Sequence, residues 1–198
     1  GEYSVIADPE TTELNQGYVQ FKNDGLTVKA GRQIIALDGH RFVGHVGWRQ
    51  DWQTYDAVSV NYKASDKLNA FYAYLNKRNR IFGEAADIDS KDHLLNVSYK
   101  DDFGKLTAYA YLLEVDNNTD NSLDTYGVSY SGAYKTDSVK WLYNAEFATQ
   151  SSETAATDYS ATYAMLEAGA VVSGVTAKLG YELLGSDDGM YGFATPLA

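Results

Sequence analysis

Cysteine is absent from the 198 residues, which excludes a disulfide scaffold and any thiolate zinc or iron–sulfur centre. Positive charge is scarce as well. Lys and Arg number 16 against 27 Asp and Glu, a net charge of −11, so there is no basic excess to displace counterions from nucleic-acid phosphates. Long apolar runs are also missing. Even the most apolar stretch, Leu106 to Val115, is interrupted by Thr107 and Glu114, and a spanning helix needs about 20 apolar residues in a row. A helical membrane protein is thereby excluded, but a transmembrane barrel is not, because only alternate residues of its strands face lipid. Enzyme signatures are lacking too: there is no Gly-x-Ser-x-Gly elbow, no His-Glu-x-x-His and no phosphate loop.

What is present is aromatic. With 17 Tyr, 14% aromatic and 44% hydrophobic residues, the chain is too rich to be a disordered acidic polymer. Strand signals dominate, and helical periodicity is hard to find. In Val139 to Thr149, the residues Val139, Trp141, Tyr143, Ala145 and Phe147 point one way and Lys140, Asn144 and Glu146 the other. The same alternation sets Val58, Val60 and Tyr62 against Ser59, Asn61 and Lys63. It also sets His93, Leu95, Val97 and Tyr99 against Asn96, Ser98 and Lys100, and Val175, Ala177, Leu179, Tyr181 and Leu183 against Thr176, Lys178 and Glu182. In Lys105 to Val115, Tyr109, Tyr111, Leu113 and Val115 oppose Ala108, Ala110 and Glu114. Leu68 to Arg78 is less clear, since Phe71 and Leu75 compete with Tyr72 and Tyr74. Most strands run about nine to eleven residues, the reach of a tilted strand across a bilayer.

Connections alternate in length. Hairpin chemistry falls at Asn23-Asp24-Gly25, Ala64 to Lys67, Asp101 to Gly104, Thr136 to Ser138 and Val171 to Gly174. Longer polar loops are expected over 34–55, 79–91, 116–123 and 150–157, so that successive tight turns lie about 35 to 40 residues apart. Short turns on one rim and long loops on the other are the arrangement of an outer-membrane barrel. The expected fold is all-β: an antiparallel transmembrane β-barrel, with about ten strands present. A soluble β-sandwich or propeller is the alternative, although a propeller blade would need four short strands in the length that here holds two long ones.

Two stretches carry a family likeness. The first is Tyr3-Ser4-Val5-Ile6-Ala7-Asp8-Pro9-Glu10 with Glu13-Leu14-Asn15-Gln16. The second begins at Gly31-Arg32-Gln33-Ile34, continues through Leu37-Asp38, Arg41-Phe42-Val43-Gly44 and Val46 to Gln50, and ends at Gln53-Thr54-Tyr55-Asp56-Ala57. Together with Asn79-Arg80-Ile81-Phe82-Gly83, they resemble bacterial outer-membrane proteins of the alginate-export porin family. The resemblance implies a roughly eighteen-stranded barrel in the outer membrane of a Gram-negative bacterium, of which residues 1–198 form a single domain incomplete at both ends. It also implies passive passage of anionic polysaccharide or small hydrophilic solutes, with outer-membrane lipid and lipopolysaccharide as surroundings and no catalysis. The chain opens at Gly1 on a loop-like segment and closes at Thr195-Pro196-Leu197-Ala198 instead of on an aromatic-ended strand, which fits a fragment.

A constriction needs charged groups to replace lost water contacts. Arg32 to Asp56 supplies Arg32, Arg41 and Arg49 with Asp38, Asp51 and Asp56, plus His40 and His45. This stretch reads as a loop entering the lumen, with Arg32 and Arg49 as selectivity groups oriented by Asp38 and Asp51. Ion pairing that merely stiffens the loop is the competing account. Arg78 and Arg80, with Lys77, form a second basic group near a strand end, read as pore lining, with surface solvation or lipopolysaccharide contact as the alternatives. The tyrosines and Trp141 read as an interfacial aromatic girdle or as a stacking platform for sugar rings, the latter being what a soluble or surface carbohydrate-binding protein would use. Asp116 to Asn121 starts like a calcium loop but has Asn121 where Gly is needed and Gly127 where Glu is needed. His40 and His45 do not have chelating spacing. No metal or cofactor is expected.

Overall fold

The structure, a computed structural model, describes residues 12–198; the Tyr3 to Glu10 stretch of the family likeness lies outside the described residues. Ten strands form one antiparallel sheet in which every strand pairs with its neighbour in sequence. They are β1 (Gly17–Asn23), β2 (Leu26–Gln33), β3 (Thr54–Lys63), β4 (Leu68–Asn79), β5 (Ile88–Lys100), β6 (Gly104–Leu113), β7 (Asn121–Lys135), β8 (Lys140–Thr154), β9 (Asp158–Val172) and β10 (Val175–Leu184). A two-residue pair, β11 (Ser186–Asp187) and β12 (Tyr191–Gly192), follows. The sheet is open, with β1 and β10 as its edges. An antiparallel meander of this kind is the wall expected of a barrel.

The meander follows from local chemistry. In the β1–β2 and β9–β10 turns, Asp24-Gly25 and Ser173-Gly174 all have positive φ, with Gly25 and Gly174 at 82°. That is the type I′ geometry whose twist matches the flanking strands, and a glycine takes it without the Cβ clash that other residues suffer. In the β5–β6 turn, the Asp101 carboxylate accepts the N–H groups of Phe103 at 2.8 Å and Gly104 at 2.6 Å and the Tyr130 hydroxyl at 3.2 Å. Tyr143 donates to the Phe103 carbonyl at 2.6 Å and stacks on Tyr130, ring centroids 6.0 Å apart.

The two faces of the sheet differ sharply. One is bare and carries Val58, Val60, Tyr62, Leu95, Tyr99, Val128, Tyr134, Trp141, Phe147, Leu166, Leu179 and Tyr181, most of them well exposed. Chain segments cover the other, where Gln33, Tyr55, Leu75, Leu94, Thr107, Ala148, Gln150 and Tyr163 are almost completely buried. The greasy side of β3, β5, β8 and β10 is thus the bare side. On β6 the aromatic side is the covered one, where Tyr109 and Tyr111 stack at 4.8 Å, and Leu106, Ala108, Ala110 and Leu112 make up the bare side.

All four loops are shorter than their polar composition suggests: residues 54–55 belong to β3, residue 79 to β4 and residues 88–91 to β5. Residues 121–123 belong to β7 and residues 150–154 to β8, because the hairpin ladder runs on through Asn121↔Thr154, Ser122↔Glu153 and Asp124↔Ser151. Backbone pairing does not require apolar side chains, so the ladder continues through these polar ends. Strands β7, β8 and β9 consequently reach 15 residues each.

Hydrogen bonds from Gly104 and Phe103 favour the ionised form of Asp101 and hold its carboxyl below the usual carboxylate range. A depressed carboxyl supports the fold above its unfolded titration range, and that support is lost as pH falls through the lower, folded range. Protection of the Phe103 and Gly104 amides, measured by NMR exchange in micelles and corrected for intrinsic rates, should be full at neutral pH and fall in acid. In Asp101→Ala it should be low at every pH. Equal protection in the two proteins would show that the carboxylate does not hold this turn.

Candidate functional site

The site is built by the connection between β2 and β3. Residues 34–53 do not stand away from the sheet; they fold back onto its covered face. Phe42 is the seat of this loop. Its ring lies 5.1 Å from Tyr163, edge to face, 5.7 Å from Tyr109 and 5.6 Å from Phe193. The Tyr109 ring in turn lies over Gly127, where a side chain would collide with it. That close approach is what only glycine permits at this register. At the loop tip Asp38 accepts from Lys105 Nζ at 2.9 Å and from the Asn96 amide. Arg41 pairs with Glu182 of β10 and lies over the Tyr163 ring at 5.6 Å.

A second segment, residues 185–198, joins the first. Gly44 N–H donates to the Leu197 carbonyl at 2.7 Å, and Val43 forms an isolated parallel bridge with Leu197. Gln150 holds both backbone groups of Ala194, at 2.9 and 2.8 Å. The Tyr55 hydroxyl, fully buried, donates to the Gly44 carbonyl at 2.8 Å and accepts from Gln53 at 2.7 Å. The Gln53 carbonyl oxygen accepts from Arg80, which also donates to the Pro196 carbonyl at 2.8 Å. These buried polar groups are partnered, as burial demands.

Beside the loop tip a cavity of about 400 Å³ is lined by Asp38, Arg41, Glu146, Tyr163, Glu167 and Glu182, among others. Glu146 accepts the Tyr109 hydroxyl at 2.8 Å, Glu182 the Tyr163 hydroxyl at 2.7 Å, and Glu167 pairs with Lys178 at 2.9 Å. A face with carboxylates, ammonium groups and hydroxyls around open volume is suited to water and polar groups. A charged loop laid there is consistent only with a watery interior, since lipid offers such groups no partners.

The sequence-derived residues fall in four places. Asp38 and Arg41 lie in this cavity. Arg49 stands at the outer part of the loop, stacked over Trp48 at 4.4 Å and near Phe82 at 5.7 Å, and Asp51 lies just before β3. Arg32 departs from the expected loop position: it and Asp56 belong to β2 and β3, directly paired in register, and their ion pair at 2.8 Å lies on the bare face. Cross-strand pairing of opposite charges extends the ladder through residues that read as loop. Arg78 and Arg80 are held inside the wall. Arg78 makes two 2.7 Å bonds to the fully buried Asp92, and Arg80 ties Gln53 to Pro196. Neither is a solvated surface group. Of the wall carboxylates, Glu146 and Glu182 lie on strand sides that read as polar in the sequence and Glu167 on a strand whose sides do not, and nothing local marks where a distant loop will land.

Among known proteins, the family model described as alginate export matches residues 4–187. No curated protein matches. Among solved structures, the chain is similar to Acinetobacter baumannii OccAB4, with a TM-score of 0.68 and 15% identity over 83% of this chain and 43% of that one. A likeness to OmpT, an outer-membrane protein of Vibrio cholerae solved in trimer form, has a TM-score of 0.47 at 15% identity, covering 96% of this chain and 79% of that one. The chain thus spans less than half the length of the first structure it resembles.

Two substitutions test this architecture. Phe42→Ala should cost about 3 kcal/mol of loop seating, seen as rapid protease cleavage within residues 34–53 while the sheet stays intact. Arg78→Ala leaves Asp92 buried without its cation and should destabilise the wall by about 3 to 5 kcal/mol, read as an earlier denaturant midpoint.

Proposed function

The chain belongs to the alginate export family of outer-membrane proteins, and from that premise we propose that the barrel to which it contributes is a passive channel for small hydrophilic solutes, anionic ones included. One observation carries the reading. The charged loop 34–53 lies on the polar face of the wall and leaves open, hydrated volume beside it, while the other face is apolar. In a membrane the apolar face meets lipid and the polar face lines the lumen.

The bare face fits that assignment from rim to rim. Near the short turns stand Tyr62, Tyr99, Tyr134 and Trp141, an aromatic girdle for the lipid–water boundary. Towards the long loops the same face becomes ionic: Arg32 with Asp56, Lys77 with Asp87, and Lys91 with Asp116 at 2.8 Å. Those pairs sit at the level where lipid headgroups and lipopolysaccharide would meet the wall. In the lumen, Asp38 and Arg41 are the groups of the loop that meet solute, with Glu146, Glu167 and Glu182 opposite them on the wall. Arg49 and Asp51 act nearer the mouth. Arg32, Arg78 and Arg80 hold the wall together by ion pairs and hydrogen bonds. Transport here is diffusion biased by charge, with no chemical step.

The full-length protein reconstituted in planar bilayers should give discrete ohmic conductance steps, and it should require detergent for extraction. A full-length protein that stays in the aqueous fraction without detergent, or a folded and inserted one that conducts nothing, would overturn the channel reading.

A further inference from the structure

Two adjoining grooves open on the bare face over β7 to β10, with volumes of about 670 and 380 Å³. They follow from the sizes of the side chains that meet in register. Tyr130 stands opposite Ala145, Ala145 opposite Leu166, and Leu166 opposite Tyr181. Two residues nearer the short turns the order inverts: Gly132 faces Tyr143, Tyr143 faces Ala168, and Ala168 faces Leu179. Ala145 and Ala168 are therefore the floor of the larger groove, and Tyr130, Tyr143, Leu179 and Tyr181 rise around it. Leu166, 63% exposed, is the ridge that the two grooves share.

The lean of the two tyrosines keeps the larger groove open. Gly104 of β6 and Gly132 of β7 make room for it: a Cβ at Gly104 would stand 3.0 Å from the Tyr130 ring, and one at Gly132 2.8 Å from the Tyr143 ring. Both rings lie over towards the β5–β6 turn. There the Tyr130 hydroxyl donates to Asp101 at 3.2 Å and the Tyr143 hydroxyl to the Phe103 carbonyl at 2.6 Å. Stacked on each other at 6.0 Å, the rings are drawn off Ala145 and Ala168. Walls pinned before anything enters lose little side-chain freedom when the groove is filled. Because both hydroxyls are already engaged, what these two rings present to the groove is hydrocarbon.

An unfilled apolar groove leaves its lining without contact atoms on one side, and membership of an outer-membrane family puts this face against lipid. We propose that the larger groove is a docking site for an acyl chain of a membrane lipid, held more firmly than the lipid around it. The bare apolar face continues on both sides of the groove, so the chain enters from the lipid that the wall already meets. Along the same strands Glu146, Glu167 and Glu182 stand on the opposite side. A docked chain thus packs the wall directly behind the lumen carboxylates. The inference goes beyond the channel reading and does not depend on it, since a barrel that conducts nothing would still dock the chain.

The test uses the full-length protein in mild detergent, loaded with palmitoyl-oleoyl phosphatidylethanolamine, stripped by detergent exchange and weighed by native mass spectrometry. The wild type should keep a lipid adduct through the exchange. Ala145→Leu with Ala168→Leu fills the floor and should lose the adduct, whereas Ala70→Leu, opposite Tyr62 on the bare side of β4 and outside the groove, should keep it. Tyr143→Phe keeps the ring but cuts its tether to Phe103, and should lower the retained fraction. Folding is checked for each variant by heat-modifiable migration on gels. A wild type without an adduct, or equal retention in the folded Ala145 and Ala168 double variant, would overturn the site. So would an oligomer of the wild type that dissociates in the double variant while lipid retention stays the same, which would make the groove a contact between copies of the chain.

Discussion

Phe42 is the point from which the covered face is organised. A loop that carries Asp38, His40, Arg41, Arg49 and Asp51 has every electrostatic reason to stay in bulk water, so something must hold it down on the wall. The aromatic box of Tyr109, Tyr163 and Phe193 does this by burying one large ring, which is 8% exposed. Once that ring is seated, Asp38 falls within reach of Lys105 and Arg41 within reach of Glu182. The backbone of residues 43–44 is then brought alongside Leu197. The ion pairs are partly exposed and individually weak. Their contribution is register: they decide which way the loop tip points after burial has fixed where it sits.

The wall has to be stiff for this to work, and its stiffness comes from polar groups in a place where apolar ones would be expected. Gln33, Gln53, Gln150, Asp92 and Asn96 are buried among Tyr55, Leu75, Leu94 and Tyr163. In a water-soluble core such residues would be a liability unless fully paired. Here each glutamine spans two elements: Gln33 reaches Ser59 and the Ala57 carbonyl, Gln53 links Tyr55 with Arg80, and Gln150 links Thr125 with Ala194. The barrel interior is thus a hydrogen-bonded layer between the sheet and the segments lying on it. Hydrophobic side chains are interleaved with it, among them Ile35, Val43, Leu75, Leu94 and Leu197.

How much of this is legible in the sequence depends on contrast between neighbours. Strands β3, β5, β8 and β10 announce their faces because Val, Leu, Tyr and Trp alternate with Asn, Ser, Lys and Glu. Strand β9 does not, since Ala161, Ala164, Ala168 and Ala170 blur both faces, and β7 does not, since Gly127, Ser129, Ser131 and Gly132 offer little to compare. Gly31, at a φ of 124°, makes the end of β2 look like the start of a loop, although Arg32 and Gln33 continue the ladder. The inward loop is visible as a charged, glycine-punctuated segment. Its landing place is not, because the partners of Asp38, Arg41 and Phe42 lie 58 to 151 residues away, at Asn96, Lys105, Glu182 and Phe193. Local pattern can mark a polar face; only the folded geometry says which part of it is occupied.

Charge distribution follows the same logic at larger scale. The excess of carboxylates is tolerable in a membrane wall only where water reaches them, and they are in fact placed at the rims, in the turns and on the lumen face. There, pairing with Lys and Arg is nearly stoichiometric along β4 to β6, which fixes the wall but leaves little field in the open volume. Pairing is incomplete along β8 to β10 and absent at Lys22 and Lys29. Among the described residues the same holds for Lys100, Lys135 and Lys140, which stand near the short turns. The inward loop lands where pairing within the wall is incomplete: Glu182 receives its cation from Arg41, so the segment that covers the wall also completes part of its charge pairing.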